Sequence, residues 1–151
     1  MSLDRISGPV VLDIPTDPVS LFLVRCLVER LSQNLDFSAE EVRRIVLAVD
    51  EACSNIIRHA CHYCPDERIR LTFIVRPDRL EIEVRDFARP ADPKSFMPRS
   101  LDEVAPGGLG THFIRSTMDI VEYELPEDGG MLLKMVKKRP IHSSNSSSGG
   151  S

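Results

Sequence analysis

Residues 39–62 form the most clearly periodic segment of the chain, and they constrain its fold more than any other stretch. Apolar residues recur there at helical spacing, which predicts an amphipathic helix with one buried face. Ser38 and Glu41 match a capping box, so we expect this helix to begin at Ala39. A long helix with one apolar face needs a second apolar layer to pack against, and the remaining segments should supply it.

Those remaining segments predict a sheet and two further helices. Strand-like runs lie at residues 9–14, 69–86 and 119–139, and turn residues divide each of the last two runs into a hairpin. Helices are predicted at residues 18–34, with Asp17 as the candidate N-cap and Pro18 in the first position, and at residues 110–118. The order β-α-α-β-β-loop-α-β-β predicts an α+β fold. It is a two-layer sandwich in which helices cover one face of a mixed, mostly antiparallel sheet.

The composition is that of one ordinary domain. The chain has 151 residues, 42% of them hydrophobic, and a formal charge of -4, so it can bury a core without metal or disulfides. The mild acidity argues against direct nucleic-acid binding. Because no long apolar run or signal segment is present, we expect a cytoplasmic protein without membrane contact. We assign residues 1–140 to a single domain and residues 141–151 to a flexible Ser/Gly-rich tail.

The four cysteines give no strong indication of a metal site. Cys61 and Cys64 form a C-x-x-C pair beside two histidines, which can supply half of a zinc site. No second ligand pair follows, so reduced thiols at a helix end are the favoured interpretation. Cys26 and Cys53 fall on apolar helical faces, where free thiols behave as small hydrophobes.

The long helix carries a polar line opposite its apolar face. Its members are Arg44, Glu51, Asn55, Arg58 and, at the edge, His59. The ordinary interpretation is a solvated helix face. However, Leu47 and Ala48 lie on the same side, which indicates that part of it is covered, and an interior Asn is mildly unfavourable unless its amide has a partner. A carboxylate and an amide one turn apart can also hold a hydrated divalent cation and orient a hydroxyl group.

Two other stretches carry candidate functional residues. Asp86 ends a strand and enters the long loop of residues 87–107, either as an ordinary turn residue or as part of a site. Residues 106–119, PGGLGTHFIRSTMD, run from a glycine-rich turn into a helix. Backbone N–H groups and the positive end of that helix can bind phosphate, although the glycines can equally be a cap.

Together these segments resemble the Bergerat (GHKL) ATP-binding fold of gyrases, heat-shock ATPases and sensor histidine kinases. More closely, the chain resembles the small serine kinases that act as bacterial anti-sigma factors. Residues 50–60, DEACSNIIRHA, are similar to the N box of that family. Residues 85–93, RDFARPADP, are similar to its first glycine box, and residues 106–119 to its second. The resemblance extends from residue 9 to about residue 138.

The resemblance implies a role for each matching residue. Glu51 matches the general base that acts on the substrate serine, and Asn55 matches the Mg²⁺ ligand. Asp86 matches the carboxylate that accepts a hydrogen bond from the adenine amine of ATP, and His59 is assigned to the pocket wall. The other residues assigned to nucleotide binding are Ala88, Gly107, Gly108, Leu109, Gly110 and Thr111.

Within that set, Gly108 and Gly110 match the glycines that bring the backbone onto the phosphates. Thr111 either reaches a phosphate or serves the start of the helix. Residues 87–107 match the mobile ATP lid of the family. The basic residues of this lid are Arg89, Lys94 and Arg99. They either place positive charge near the nucleotide or are solvated loop charges.

The sequence departs from the family pattern at two places near the adenine. Ala88 stands where the first glycine box usually has Gly, which would cost on the order of 1 kcal/mol if the backbone needs a positive φ there. The last strand reads Met131-Leu132-Leu133 where the fold often carries a Thr. Both changes bear on ATP affinity more than on the fold.

The resemblance implies a switch protein. It would use ATP and Mg²⁺ to phosphorylate a serine of an antagonist protein, and it would sequester a partner such as a sigma factor. The resemblance also suggests a homodimer. The alternative is a non-catalytic partner-binding module of the same fold, which Ala88 and the missing Thr favour. A detached histidine kinase domain ranks last, because no dimerisation helix with a phospho-acceptor histidine precedes the N box.

Overall fold

The computed structural model describes residues 3–60, 66–88 and 108–141. In these residues the strands are β1 (Val10–Pro15), β2 (Arg68–Val75), β3 (Arg79–Asp86), β4 (Ile120–Glu124) and β5 (Leu132–Lys138). The helices are α1 (Leu21–Gln33), α2 (Ala39–Asn55) and α3 (Leu109–Thr117). Each element lies within a few residues of its predicted position.

The five strands form one sheet in the order β1-β2-β3-β5-β4. Strand β3 is central and pairs with β2 on one side and β5 on the other. All four pairings are antiparallel, so the described sheet contains no parallel pair. The predicted α+β sandwich is confirmed, and its sheet is antiparallel where we expected a mixed, mostly antiparallel one.

The two faces of the sheet differ because alternate residues of each strand point to opposite sides. On β3 the buried residues are Leu80, Ile82, Val84 and Asp86. They belong to one face, where the apolar residues share a continuous core with those of β2 and the helices. The opposite face carries charged residues such as Arg70, Glu83 and Lys134. Asp86 is therefore a carboxylate on the apolar side of the sheet.

The two side-chain caps that the sequence predicts, at Asp17 and Ser38, are both present. Asp17 accepts a hydrogen bond from the Val19 amide at 3.0 Å and opens a short 3-10 turn that leads into α1. At the start of α2, the Ser38 side chain accepts from the Glu41 amide at 3.2 Å, and the Glu41 carboxylate accepts from the Ser38 amide at 2.9 Å. This reciprocal pair is the predicted capping box.

The long helix ends differently from the prediction. Regular α-helix stops at Asn55, and one π-helical turn, Ile56–Ala60, continues it. π-helical turns are rare in proteins, and those that occur are often found at functional sites. Ile56 and Ile57 are both buried in the core, whereas Arg58 and His59 are exposed. The turn thus extends the buried apolar face of α2 and leaves two polar side chains exposed at its end.

Several predictions lie outside the described residues. They concern Cys61, Cys64, the lid residues Arg89, Lys94 and Arg99, Gly107, and the tail from residue 142 onward. Among the described cysteines, Cys53 is buried as expected, and burial raises the pKa of its thiol. Cys26 is exposed, which corrects its placement on an apolar face. No helix in the described residues combines the length and the apolar character needed to cross a bilayer.

Candidate functional site

A cavity of about 250 Å³ lies where the end of α2 and its π-helical turn meet the start of α3. The residues that line it are Glu51, Asn55, Arg58, His59, Gly108, Gly110 and Thr111. All of them except Arg58 belong to the set that the family resemblance assigned. The fold therefore brings the second half of the N box and the second glycine box to one place, although about fifty residues separate them in the chain.

The close approach of α3 to α2 depends on Gly110. A Cβ atom placed on this residue would overlap the carboxylate of Glu51. Gly108 is the N-cap of α3, and its φ of 143° belongs to a region that side-chain-bearing residues rarely adopt. The glycine-rich turn is therefore more than a helix cap, because it puts the first turn of α3 directly against the predicted catalytic carboxylate.

The polar line of α2 is only partly solvated. Ala48 is completely buried although it lies on that line, whereas Leu47 beside it is 55% exposed. The guanidinium of Arg44 stacks 5.8 Å from the ring centroid of Phe113 on α3. Arg44 and Glu51 thus contact α3 on either side of Ala48, which explains why this alanine is covered. The prediction that part of the polar side is covered is correct for Ala48 and wrong for Leu47.

Arg58 connects the two polar residues of the cavity. Its Nη2 atom donates to the Asn55 Oδ1 atom at 2.8 Å and to the Glu51 Oε1 atom at 3.2 Å. Arg58 lies on the polar line predicted from the sequence, and the family resemblance implied no role for it. Its spacing from Asn55 and Glu51, three and seven residues, puts all three side chains on one helical face and is the sequence feature that could have identified it.

Asp86 lies in a second group of residues at the end of β3. The residue is 2% exposed, and the Ala88 amide donates to its Oδ1 atom at 3.1 Å. Burial raises the pKa of the Asp86 carboxyl to about 6, while hydrogen bonds from the Ala88 and Met131 main chains and the charge of Arg85 act in the opposite direction. A buried carboxylate with a raised pKa is a candidate functional group as well as a strand-end turn residue.

Three contacts hold this strand end in place. The ring of Phe87 lies 5.1 Å from the Arg70 guanidinium and 4.8 Å from that of Arg85. Arg85 also donates from Nη2 to the Asp128 Oδ1 atom at 2.6 Å, which ties β3 to the loop between β4 and β5. In that loop Gly130 has a φ of 73°, and a Cβ on it would overlap the main-chain oxygen of Asp86.

Ala88 carries no backbone strain. Among the described residues Asp36 is the non-glycine residue with a positive φ, so Ala88 adopts an ordinary conformation. The cost that we associated with alanine at this position does not arise. The Ala88 side chain packs against the core, while its amide donates to Asp86. The departure from glycine therefore leaves the hydrogen bonding of the carboxylate intact.

Thr111 combines two environments. It lines the cavity, but it is only 9% exposed, and its side chain forms a hydrogen bond with Tyr123 on β4. Burial raises the pKa of Tyr123, and the hydrogen bond to Thr111 and the charge of Arg115 oppose that shift. Thr111 thus contacts the sheet and also lines the cavity, so its role is not limited to the start of the helix.

Three of the remaining predicted residues lie in the described part of the chain, and none of them lines the cavity. Leu109 is 89% exposed at the start of α3, and Asp86 and Ala88 form their own group below the β4–β5 loop. In the part of the chain that the structure describes, no three His, Cys, Asp or Glu side chains cluster in a way that could hold a metal by themselves. A divalent cation here would need other oxygen ligands, as Mg²⁺ bound with a nucleotide usually has.

The raised pKa of Asp86 predicts a pH-dependent effect of Asp86→Asn on stability. The Asp86 carboxyl binds its proton more tightly in the folded protein than in the unfolded chain, where its pKa is 3.8. The contribution of this group to the free energy of unfolding is therefore full below about pH 4 and is lost as the pH rises through 6. Urea denaturation should show Asp86→Asn gaining stability relative to the wild type between pH 4 and pH 7, by up to about 3 kcal/mol.

Asp13→Asn is the matched control, since the hydrogen bond from Arg68 lowers the pKa of Asp13. A lowered pKa gives stability that is present above the unfolded value and lost as the pH falls. This variant should therefore lose stability relative to the wild type as the pH rises from 3 to 5. A difference between Asp86→Asn and wild type that stays constant across pH 4–7 would contradict the account of Asp86.

Comparison with known proteins agrees with this geometry. Residues 14–137 match the histidine kinase-like ATPase domain. The serine-protein kinase RsbW of Halalkalibacterium halodurans is 30% identical over 143 residues, which cover 88% of this chain and 86% of that protein. The proteins of the same name from Bacillus pumilus and Bacillus subtilis are 28% and 24% identical, each covering 85% of this chain and 84% of their own length. The family resemblance is confirmed, and the chain belongs to the histidine kinase-like ATPase domain family.

Proposed function

We propose that this protein is an ATP-dependent protein serine kinase that acts as an anti-sigma-factor-type switch. The observation that carries the proposal is the cavity in which Glu51 and Asn55 face the glycine-rich start of α3. The similar proteins are named serine-protein kinases, which supports the same activity. The kinase interpretation of the sequence agrees with both.

The start of α3 is suited to bind the phosphates of ATP. The first amides of a helix have no partner within the helix and lie at the positive end of its dipole. Here Gly108 and Gly110 expose the backbone to the cavity without side chains in between. Phosphoryl transfer depends mainly on positioning and on neutralising charge, so this arrangement supplies the first requirement.

Asn55, beside Glu51, fits a site for Mg²⁺. Their oxygens already converge on one cationic group, because both accept a hydrogen bond from the same Arg58 nitrogen. Amide and carboxylate oxygens are ligands that Mg²⁺ takes together with waters and substrate phosphates. We assign Asn55 as the ligand from this chain; bound Mg²⁺ supplies neutralisation of the phosphate charge.

Glu51 is proposed to act as the general base. Its side chain is 31% exposed, so a serine of another protein can reach it from the open side of the cavity. In the proposed step the Glu51 carboxylate takes the proton of the serine hydroxyl as the serine oxygen bonds to the terminal phosphorus, and ADP leaves. His59 forms part of the cavity wall near this position.

Asp86 is proposed to recognise the adenine. Its buried carboxylate is held by the Ala88 amide at 3.1 Å and can accept a hydrogen bond from an amine donor. The Asp86 main-chain N–H donates to the Met131 oxygen at 3.1 Å, which places the start of the last strand beside this carboxylate. The recognition would thus use Asp86 without the threonine that the family often has there.

The proposed partners follow from the same family likeness. An antagonist protein would present the serine that is phosphorylated, and a sigma factor would be held when the antagonist is modified. We also propose that the protein acts as a homodimer in the cytoplasm, with no direct contact to nucleic acid or membrane. Residues 1–140 would form the kinase domain, and residues 141–151 a separate tail.

Glu51→Ala separates the kinase from the alternative, a non-catalytic module that only binds partners. Removing the base should lower serine phosphorylation of the antagonist by about 100-fold or more, as expected for a general base. ATP affinity measured by calorimetry should change little. Transfer of label from γ-labelled ATP to the antagonist measures the first quantity, with Glu40→Ala on the exposed first turn of α2 as the control.

Wild-type protein that binds ATP but transfers no label would assign the non-catalytic module instead. Equal transfer by wild type and Glu51→Ala would remove the role of Glu51. Label that is lost in acid would indicate phosphohistidine and would contradict a serine acceptor.

Gly110→Ala tests whether the packing of α3 positions Glu51. The added methyl group would overlap the Glu51 carboxylate, and this flexible side chain can move aside. We therefore expect label transfer to fall at least about 10-fold, with the free energy of unfolding within about 1 kcal/mol of wild type because alanine favours the helix. Ser116→Ala, at an exposed position later in the same helix, is the control and should keep its activity. Unchanged transfer in Gly110→Ala would contradict this role of the glycine.

A further inference from the structure

The guanidinium of Arg58 lies where the proposed function requires a divalent cation. One nitrogen, Nη2, is 2.8 Å from the Asn55 amide oxygen and 3.2 Å from a Glu51 carboxylate oxygen. A guanidinium has only hydrogen-bond donors, so both oxygens are bonded to a positively charged group in this structure. The two side chains are thereby held in one orientation.

We propose that Arg58 is a positioning residue that acts as a resident cation, which a divalent ion must displace from Asn55 and Glu51. This inference rests on the proposed function, since it takes the Asn55 oxygen as the cation ligand and Glu51 as the base beside it. Arg58 lies in the π-helical turn after α2, one turn beyond Asn55, and it is 43% exposed at its side chain. The guanidinium can therefore leave the two oxygens for solvent without disturbing the buried residues of the turn.

Simultaneous binding of Arg58 and a divalent ion is disfavoured by charge. Ligand oxygens lie about 2.1 Å from Mg²⁺, so a guanidinium bonded to the same oxygens would be only a few Å from the ion. Like charges at such a distance repel strongly even near a protein surface. The ion and the arginine therefore compete, and the affinity of the site for the ion is lowered by the strength of the arginine contacts.

Two other basic side chains near α2 have different partners. Arg25 on α1 pairs with Asp50 at 2.7 Å, and Arg44 stacks on Phe113. Neither of them lines the cavity. Arg58 is distinguished from an ordinary surface ion pair because its partners are the two residues to which the proposed function assigns the chemistry. Arg44 is thus a matched control on the same helix face.

The test is a titration of the nucleotide-free protein with Mn²⁺, followed by NMR. Paramagnetic broadening of the Asn55 side-chain amide signal reports an ion at that oxygen. In Arg58→Gln the half-broadening concentration should be about 3- to 10-fold lower than in the wild type, as expected when one exposed ion pair and its hydrogen bond no longer compete. Arg44→Gln should match the wild type.

Arg58→Lys keeps the positive charge but lacks the planar guanidinium group. Its half-broadening concentration of Mn²⁺ should therefore lie between those of the wild type and Arg58→Gln. The same spectra show whether each variant is folded. A half-broadening concentration in Arg58→Gln equal to or higher than that of the wild type would overturn the inference. So would an equal shift in Arg44→Gln, because that would reflect overall charge alone.

Calorimetry with ATP and Mg²⁺ separates this inference from the proposed function. If the wild type binds Mg·ATP and Arg58→Gln shows no shift with Mn²⁺, the role of Arg58 is wrong and the kinase proposal stands. If Arg58→Gln shows the shift and neither protein binds ATP, the competition is established and the nucleotide proposal fails.

Discussion

The close contact between the first turn of α3 and the end of α2 is the constraint on which the rest of the site depends. Gly110 lies so close to Glu51 that a Cβ on this residue would overlap the carboxylate. Between the same two helices Ala48 is buried, Arg44 stacks on Phe113, and residues of both line the cavity. Because α2 is fixed on the sheet by its apolar face, the position of α3 decides whether the polar line is a solvated surface or a site.

Local sequence patterns were sufficient for most of the fold. The capping box at Ser38, the Asp17 cap and the alternation of residues in β3 depend on neighbours in the chain, and each appears where the pattern predicts it. The strand pairings were less determined, since alternation fixes the faces of a strand but not the direction of its neighbour. The family resemblance supplied the grouping of Glu51 and Asn55 with the glycine-rich turn, which periodicity alone left open.

What could not be predicted arises from contacts between distant segments. The Arg58 hydrogen bonds depend on rotamers at the end of α2, and the π-helical turn there has no reliable sequence pattern. The burial of Asp86 depends on the β4–β5 loop, where Gly130 packs on its main chain and Asp128 binds Arg85. Ala88 illustrates the same point, because its family position suggested strain that its actual backbone conformation does not have.

The central claim is that the cavity between α2 and α3 binds a nucleotide together with a divalent cation held by Asn55. Calorimetric titration of ATP into the wild type and Asn55→Ala, each with and without Mg²⁺, tests it most directly. The account predicts that the wild type binds ATP more tightly with Mg²⁺ and that Asn55→Ala loses most of this gain while remaining folded. Equal Mg²⁺ dependence in the two proteins, or no binding at millimolar ATP, would contradict it.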